Sequence, residues 1–186
     1  LTTTGSEAVV DWVIVELRDA TQPAIVLHSR SAVIRRDGRI TDKDGNSPVG
    51  FAAQEGSYFV AVRHRNHLGV MTSAPTTLSG MANTIDLTTG STTTWGTEAR
   101  KPVGGVMVLW PGDIDFNGQV KYTSIGNDRD IILLAIGGSM PTNTASAYHA
   151  CDVNMDGVVK YTGNVNDRDV ILQTIGGVVP TAVRSQ

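Results

Sequence analysis

Residues 106–186 carry eight acidic side chains, all aspartate, confined to two short stretches. Asp113, Asp115 and Asn117 alternate along the chain and run into Gly118. Asp152, Asn154 and Asp156 do the same ahead of Gly157. Alternate oxygen-bearing side chains before a glycine place hard donors on one side of a tight bend, which glycine tolerates because it lacks a Cβ. Gln119 and Val158 follow, where a backbone carbonyl would serve, so their side chains need not match. An all-oxygen donor set of this kind suits calcium. A solvated surface would scatter its charges and use glutamate as well.

The two stretches are copies. A shift of 39 residues aligns 113–142 with 152–181 without a gap, and 17 of those 30 positions are identical. Each copy opens D-x-[DN]-x-[DN]-G, the first half of an EF-hand calcium loop. Val120 and Val159 take the apolar position expected to pair the two loops across a short β-bridge. Asn127 and Asn166 suit helix N-caps. Each helix should then run to Ile136 or Ile175 and stop at Gly-Gly. Asp130 and Asp169 are the first choice to close the ligand sets from the first helical turn. Asp128 and Asp167 are the second, and like Asn127 and Asn166 they sit beside the loop. One calcium ion per loop, two in all, is the expectation. Six residues, 121–126 and their counterparts 160–165, separate each loop from its helix and are absent from a minimal loop.

The duplicated D-x-[DN]-x-[DN]-G-x-V…N-x-x-D-[IV] pattern over about 111–181 resembles a type I dockerin. It is similar as well to the dockerin-like tails of secreted proteins from Bacteroidetes-type bacteria. The resemblance implies two calcium loop-helix units packed with pseudo-twofold symmetry, and a cohesin-like receptor as partner. The six-residue insertions and the short helices depart from that family, and bear on cohesin binding more than on calcium.

Residues 1–105 read differently. Asp11–Leu17, Ala24–Leu27, Ala32–Ile34, Gly56–His64, Thr84–Leu87 and, beyond them, Val106–Trp110 are β-branched or aromatic runs separated by turn signals such as Asp37-Gly38. Many short strands without an amphipathic helix predict a β-sandwich. Pro48-Val49-Gly50-Phe51 followed by Gly56–Val62 resembles a strand pair of transthyretin-like and Cna-B-like sandwich domains, across roughly residues 8–80. The fold expected is therefore mainly β: an N-terminal sandwich over 1–105, with 88–105 a Thr/Gly-rich loop or linker, then a small dockerin-like α module over 106–186 with two EF-hand-like loops.

Other groups read as structural. Asp42, Asp44 and Asn46 share the alternate spacing, but no helix signal follows, so a turn is expected. His64 and His67 fall on opposite faces of a strand and suit one zinc poorly. Cys151 reads as a small buried apolar side chain beside Asp152. No Ser/His/Asp set, H-E-x-x-H, P-loop or G-x-G-x-x-G occurs, so the chain reads as no enzyme. A net charge of −3 provides no field for nucleic acid, and no apolar run is long enough for membrane insertion. No signal peptide is visible in the first residues, which leaves a cytosolic chain or a mature secreted one; the calcium loops favour a secreted or cell-surface location. The expected function is a calcium-stabilised structural or adhesive surface protein, with itself or other surface proteins as partners. A filament subunit using its Thr-rich start as a donor strand is one form of this. A dockerin-like docking module and a glycan-binding module are the alternatives.

Overall fold

The computed structural model describes residues 3–186, so the Leu1-Thr2 part of the Thr-rich start lies outside the described residues. The chain divides into two compact units, residues 1–64 with 69–108 and residues 65–68 with 109–186. The boundary falls three residues beyond the one read from composition, and the assignment of 65–68 to the second unit has no signature in the local sequence.

The first unit is built on β1 (Val9–Asp19), β2 (Val26–Arg35), β3 (Ile40–Thr41), β4 (Gly56–His64), all but the first two residues of β5 (His67–Met71), and β6 (Thr76–Leu78). They form one six-stranded sheet in the order β3-β2-β1-β4-β5, with β6 also pairing β4. β7 (Lys101–Val103) and β8 (Val106–Val108) form a separate ribbon. Register puts Val15 opposite Val62 and Leu17 opposite Val60, so these apolar side chains share one face. Tyr58 to Val62 are buried without interruption, as expected of a strand covered on both faces. On the second face Phe59 meets Trp95 edge-to-face at 5.6 Å. The runs 24–27 and 32–34, read as two strands, are parts of a single β2 or its approach, because β1 pairs with it continuously apart from bulges. Residues 84–87 are not a strand: the Asp86 carboxylate accepts from the Thr88 amide at 2.8 Å and bends the chain. The Thr/Gly-rich segment after it is tied down by Arg100, whose guanidinium donates to the carbonyls of Leu87, Thr89 and Thr92. Before β1, the amide of Asp37 donates to Ser6 O and that of Arg36 to Ala8 O, so residues 6–8 are bonded within their own chain.

The second unit contains β9 (Gln119–Lys121), α1 (Asp128–Ala135), β10 (Thr144–Ser146), β11 (Val158–Lys160), α2 (Asp167–Thr174) and β12 (Val183–Ser185). Every element of the first copy recurs 39 residues later, including β10 and β12, which extend the repeat beyond the stretch legible in the sequence. The loop strands do not pair with each other as expected. β11 pairs with β10 and β9 pairs with β12, so each loop strand is completed by the strand that follows the other copy's helix, a reciprocal exchange. Thr123 donates to Pro180 O and Thr162 to Pro141 O, both at 2.9 Å, repeating the exchange in side chains. The core follows the same rule: Ile114, Val120, Ile132 and Ile136 are buried together with their counterparts Val153, Val159, Ile171 and Ile175. Burial of such a side chain stabilises by about 1.5–3 kcal/mol.

Helices of eight residues are too short to persist alone, and tertiary packing and caps must hold them. Both end as the sequence indicates. Gly138 donates to Leu133 O and Gly137 to Leu134 O, a Schellman pair, and Gly177 and Gly176 repeat it on Leu172 and Gln173.

The insertion ahead of each helix uses two left-handed positions. They hold Ser124 and Gly126 in one copy, Gly163 and Val165 in the other. Val165, at φ +55° and exposed, is a β-branched residue where its counterpart is glycine. Replacing Val165→Gly should therefore stabilise the protein by about 1 kcal/mol, and Gly126→Val should destabilise it by at least as much, read by urea denaturation. A loss of stability in Val165→Gly would contradict the strain.

Candidate metal centre

Each loop is organised around the aspartate at the first position of its helix. Asp128 Oδ1 accepts from the Ile114 amide at 2.9 Å and Oδ2 from the Lys121 amide at 2.8 Å. One carboxylate thus ties the loop's entry and its exit strand to the start of α1. Asp167 does the same, with Val153 at 2.6 Å and Lys160 at 2.7 Å. Both carboxylates are fully buried.

In the first loop the Asp113 side chain is buried; its Oδ2 accepts from the Gly118 amide at 3.2 Å. Asp115 accepts from Asn117, and Asn117 Oδ1 accepts from the Gln119 amide at 2.7 Å. Gly118 adopts φ +78°, the conformation its position in the motif demands. Phe116 is also left-handed, at φ +63°, which nothing in its own identity indicated. The bend brings one oxygen each of Asp113, Asp115 and Asp128 within 4.8 Å of one another. Calcium binds oxygens at about 2.3–2.6 Å, so two ligands on one ion lie no more than about 5 Å apart, and this set fits. The donors are all hard oxygens, without the nitrogen or sulfur that zinc favours. The two amides on Asp128 leave lone pairs for a cation, since a carboxylate has about four acceptor sites.

Asp130, ranked ahead of Asp128 by sequence, is turned elsewhere. The Asn127 side chain accepts from the Asp130 amide and donates back to Asp130 Oδ2 at 2.9 Å. Arg129 takes Asp130 Oδ1. Asn166, Arg168 and Asp169 repeat these bonds. The Asn-x-x-Asp motif is thus a reciprocal cap, related to the capping box but with the amide side chain returning the bond. The Asn127 and Asn166 side chains also close their insertions by donating to Ser124 O and Gly163 O, both at 2.7 Å.

The second loop keeps the frame but spreads its acids. Asp152 accepts from the Asp156 and Gly157 amides, at 3.1 and 3.0 Å. Asn154 stands where the first loop has Asp115, and its side-chain amide donates to Val165 O. Asp156 Oδ1 takes the Val158 amide, and Oδ2 lies 3.9 Å from Lys160 Nζ. Among the described residues only the first loop gathers three metal-ligating acids.

Burial pushes the Asp128 carboxyl up to about 7; the Lys121 and Ile114 amides oppose this, and the charges of Asp115 and Asp113 add to it. Burial raises Asp167 as well. Cys151 is buried in the same core, and burial, with the charges of Asp167 and Asp128, pushes its thiol up to about 12, leaving it inert. Asp44 is a turn residue: hydrogen bonds from the Ser47 hydroxyl and the Asn46 and Ser47 amides hold it at about 2. His64 pairs with buried Asp11 at 3.0 Å, and His67 Nδ1 lies 2.7 Å from Asn66 Oδ1.

No protein-family model matches the chain, and neither a curated protein nor a solved structure matches it. Among the described residues no helix is long and apolar enough to cross a membrane.

The raised Asp128 carboxyl sets a pH dependence. Its folded value lies above the ordinary 3.8, so the metal-free fold holds this proton more tightly than the unfolded chain. That stabilisation is present below about pH 4 and is lost as pH rises through about 7. In chelator, wild-type stability should fall more steeply from pH 5 to 7.5 than that of Asp128→Asn, measured by denaturant unfolding. Equal slopes would contradict the shift.

Proposed function

We propose that this chain is a calcium-stabilised, non-enzymatic structural or adhesive module that works outside the cell. The observation that carries the reading is the convergence of Asp113, Asp115 and Asp128 in a loop built on the D-x-D-x-N-G pattern. Three acids crowded at one bend repel each other, and a divalent cation removes that cost while adding bonds. The second loop shares the frame and is the weaker of the two. The residues that would hold calcium are those three carboxylates with the Asn117 side chain, and Asp152, Asn154, Asp156 and Asp167 in the second loop. The ion would supply charge neutralisation and a rigid loop, not chemistry.

Extracellular calcium modules have dissociation constants of about 0.1–1 mM. With calcium tenfold above such a value, one site adds about 1.4 kcal/mol by mass action. A domain's total stability is only about 5–15 kcal/mol, so this contribution is substantial. Cytosolic calcium would leave such sites empty, which is why the reading places the module at the surface or in the medium.

A docking role for the same module is the second reading, related to the dockerin resemblance. It is favoured by the exposure of Ile125, Leu134, Val178 and Val179, of which Ile125 is 98% and Val178 85% exposed. It calls for a one-to-one complex with a cohesin-like domain, which size-exclusion chromatography would reveal.

Removing calcium with EDTA should lower the melting temperature by several degrees, at about 2–4 °C per kcal/mol for a chain this size. Asp113→Ala should abolish most of that shift, and adding Asp152→Ala the remainder. Identical melting curves with calcium and with chelator would sink the calcium reading.

A further inference from the structure

The second unit includes a residue remote in sequence from both loops. Asn66 is completely buried. Its backbone carbonyl accepts from the Gly112 amide at 2.7 Å, immediately before Asp113. Its side-chain Nδ2 donates to Ala150 O at 3.0 Å and to Asp152 O at 2.7 Å. Gly112 and Cys151 are equivalent positions of the repeat, each one residue ahead of a loop's first aspartate. Asn66 therefore holds the entry of both loops at once, through its side chain and its own carbonyl. Its neighbours fix it there: the Leu68 amide donates to Trp110 O at 2.8 Å, His67 bridges to Pro111, and Arg65 stacks on Tyr148 at 4.4 Å.

We propose that Asn66 is a positioning residue shared by the two metal loops, through which an ion in one loop changes the affinity of the other; this rests on the calcium reading above. Taking up an ion draws a loop's first aspartate inward, and the residues just before it move with the backbone. Asn66 cannot follow one entry without lengthening its bonds to the other. Being buried, it has no water with which to replace them. Reciprocity then requires the effect to run in both directions with equal size. Asn66 itself lies outside both repeats.

The test is calorimetric titration of calcium into the full chain after removal of bound metal. In the wild-type background, Asp113→Ala should weaken calcium binding at the second loop by about fivefold or more, the lower end of ordinary coupling. Asn66→Ala should bring the two loops to independent binding. Thr174→Val is the control: the Thr174 hydroxyl is buried and donates to Pro111 O at 2.7 Å, so its loss destabilises the unit while touching one loop entry only. It should lower the melting temperature yet leave the coupling intact, which separates positioning from stability. Two sites that ignore each other in the wild type, or coupling that survives Asn66→Ala, would overturn the proposal while leaving calcium binding in place. Should Asn66→Ala fail to fold, Asn66→Ser, which keeps a polar group but is too short to hold both Ala150 O and Asp152 O, replaces it in the same titration with the same two outcomes. No binding heat in the wild type would overturn this proposal together with the calcium reading.

Discussion

The second unit depends on one arrangement made twice: a buried carboxylate at the start of a helix, bonded to the amides at both ends of the preceding loop. Asp128 and Asp167 close their loops in this way, and all else follows from the closure. It aligns the loop's own aspartates, directs the exit strands toward β12 and β10, and starts two helices too short to form unaided. The same closure imposes a cost. A carboxylate without water beside like charges resists ionisation, and two amide bonds do not fully offset that in Asp128. A proton supplies the balance below about pH 7, and in the calcium function proposed above a divalent cation would supply it at higher pH.

The exchange of strands explains why the unit is built from two copies. Neither loop strand finds its partner in its own loop or insertion, and neither half of the shared core is complete without the other four apolar side chains. Duplication therefore supplies the missing half of each repeat. Its asymmetry is equally informative. Asp115 and Asn117 become Asn154 and Asp156, and the acid moved to the later position comes within reach of Lys160. With the same number of acids, the second loop gathers them less tightly.

Much of this was legible in the sequence. The 39-residue repeat, the helix limits at Asn127 and Ile136, the Gly-Gly stops, and strands β1 and β4 all follow from short-range rules of spacing, capping and alternation. The choice between Asp128 and Asp130 did not. Both lie in the first helical turn and both favour its positive end, and only the helix's rotation sends one to the loop and the other to the Asn127 cap. The strands β10 and β12 share little beyond Ser146 and Ser185, so identity could not reveal them. Asn66 escaped for a plainer reason: its partners at the two loop entries are more than 40 residues away, and no local pattern marks a residue for such a role.

The most direct test of the account is anomalous diffraction from crystals grown in calcium. A calcium peak is expected within about 2.3–2.6 Å of carboxylate oxygens from Asp113, Asp115 and Asp128. An empty first loop at saturating calcium, or an ion held by Asp130 with Asp128 turned away, would contradict it.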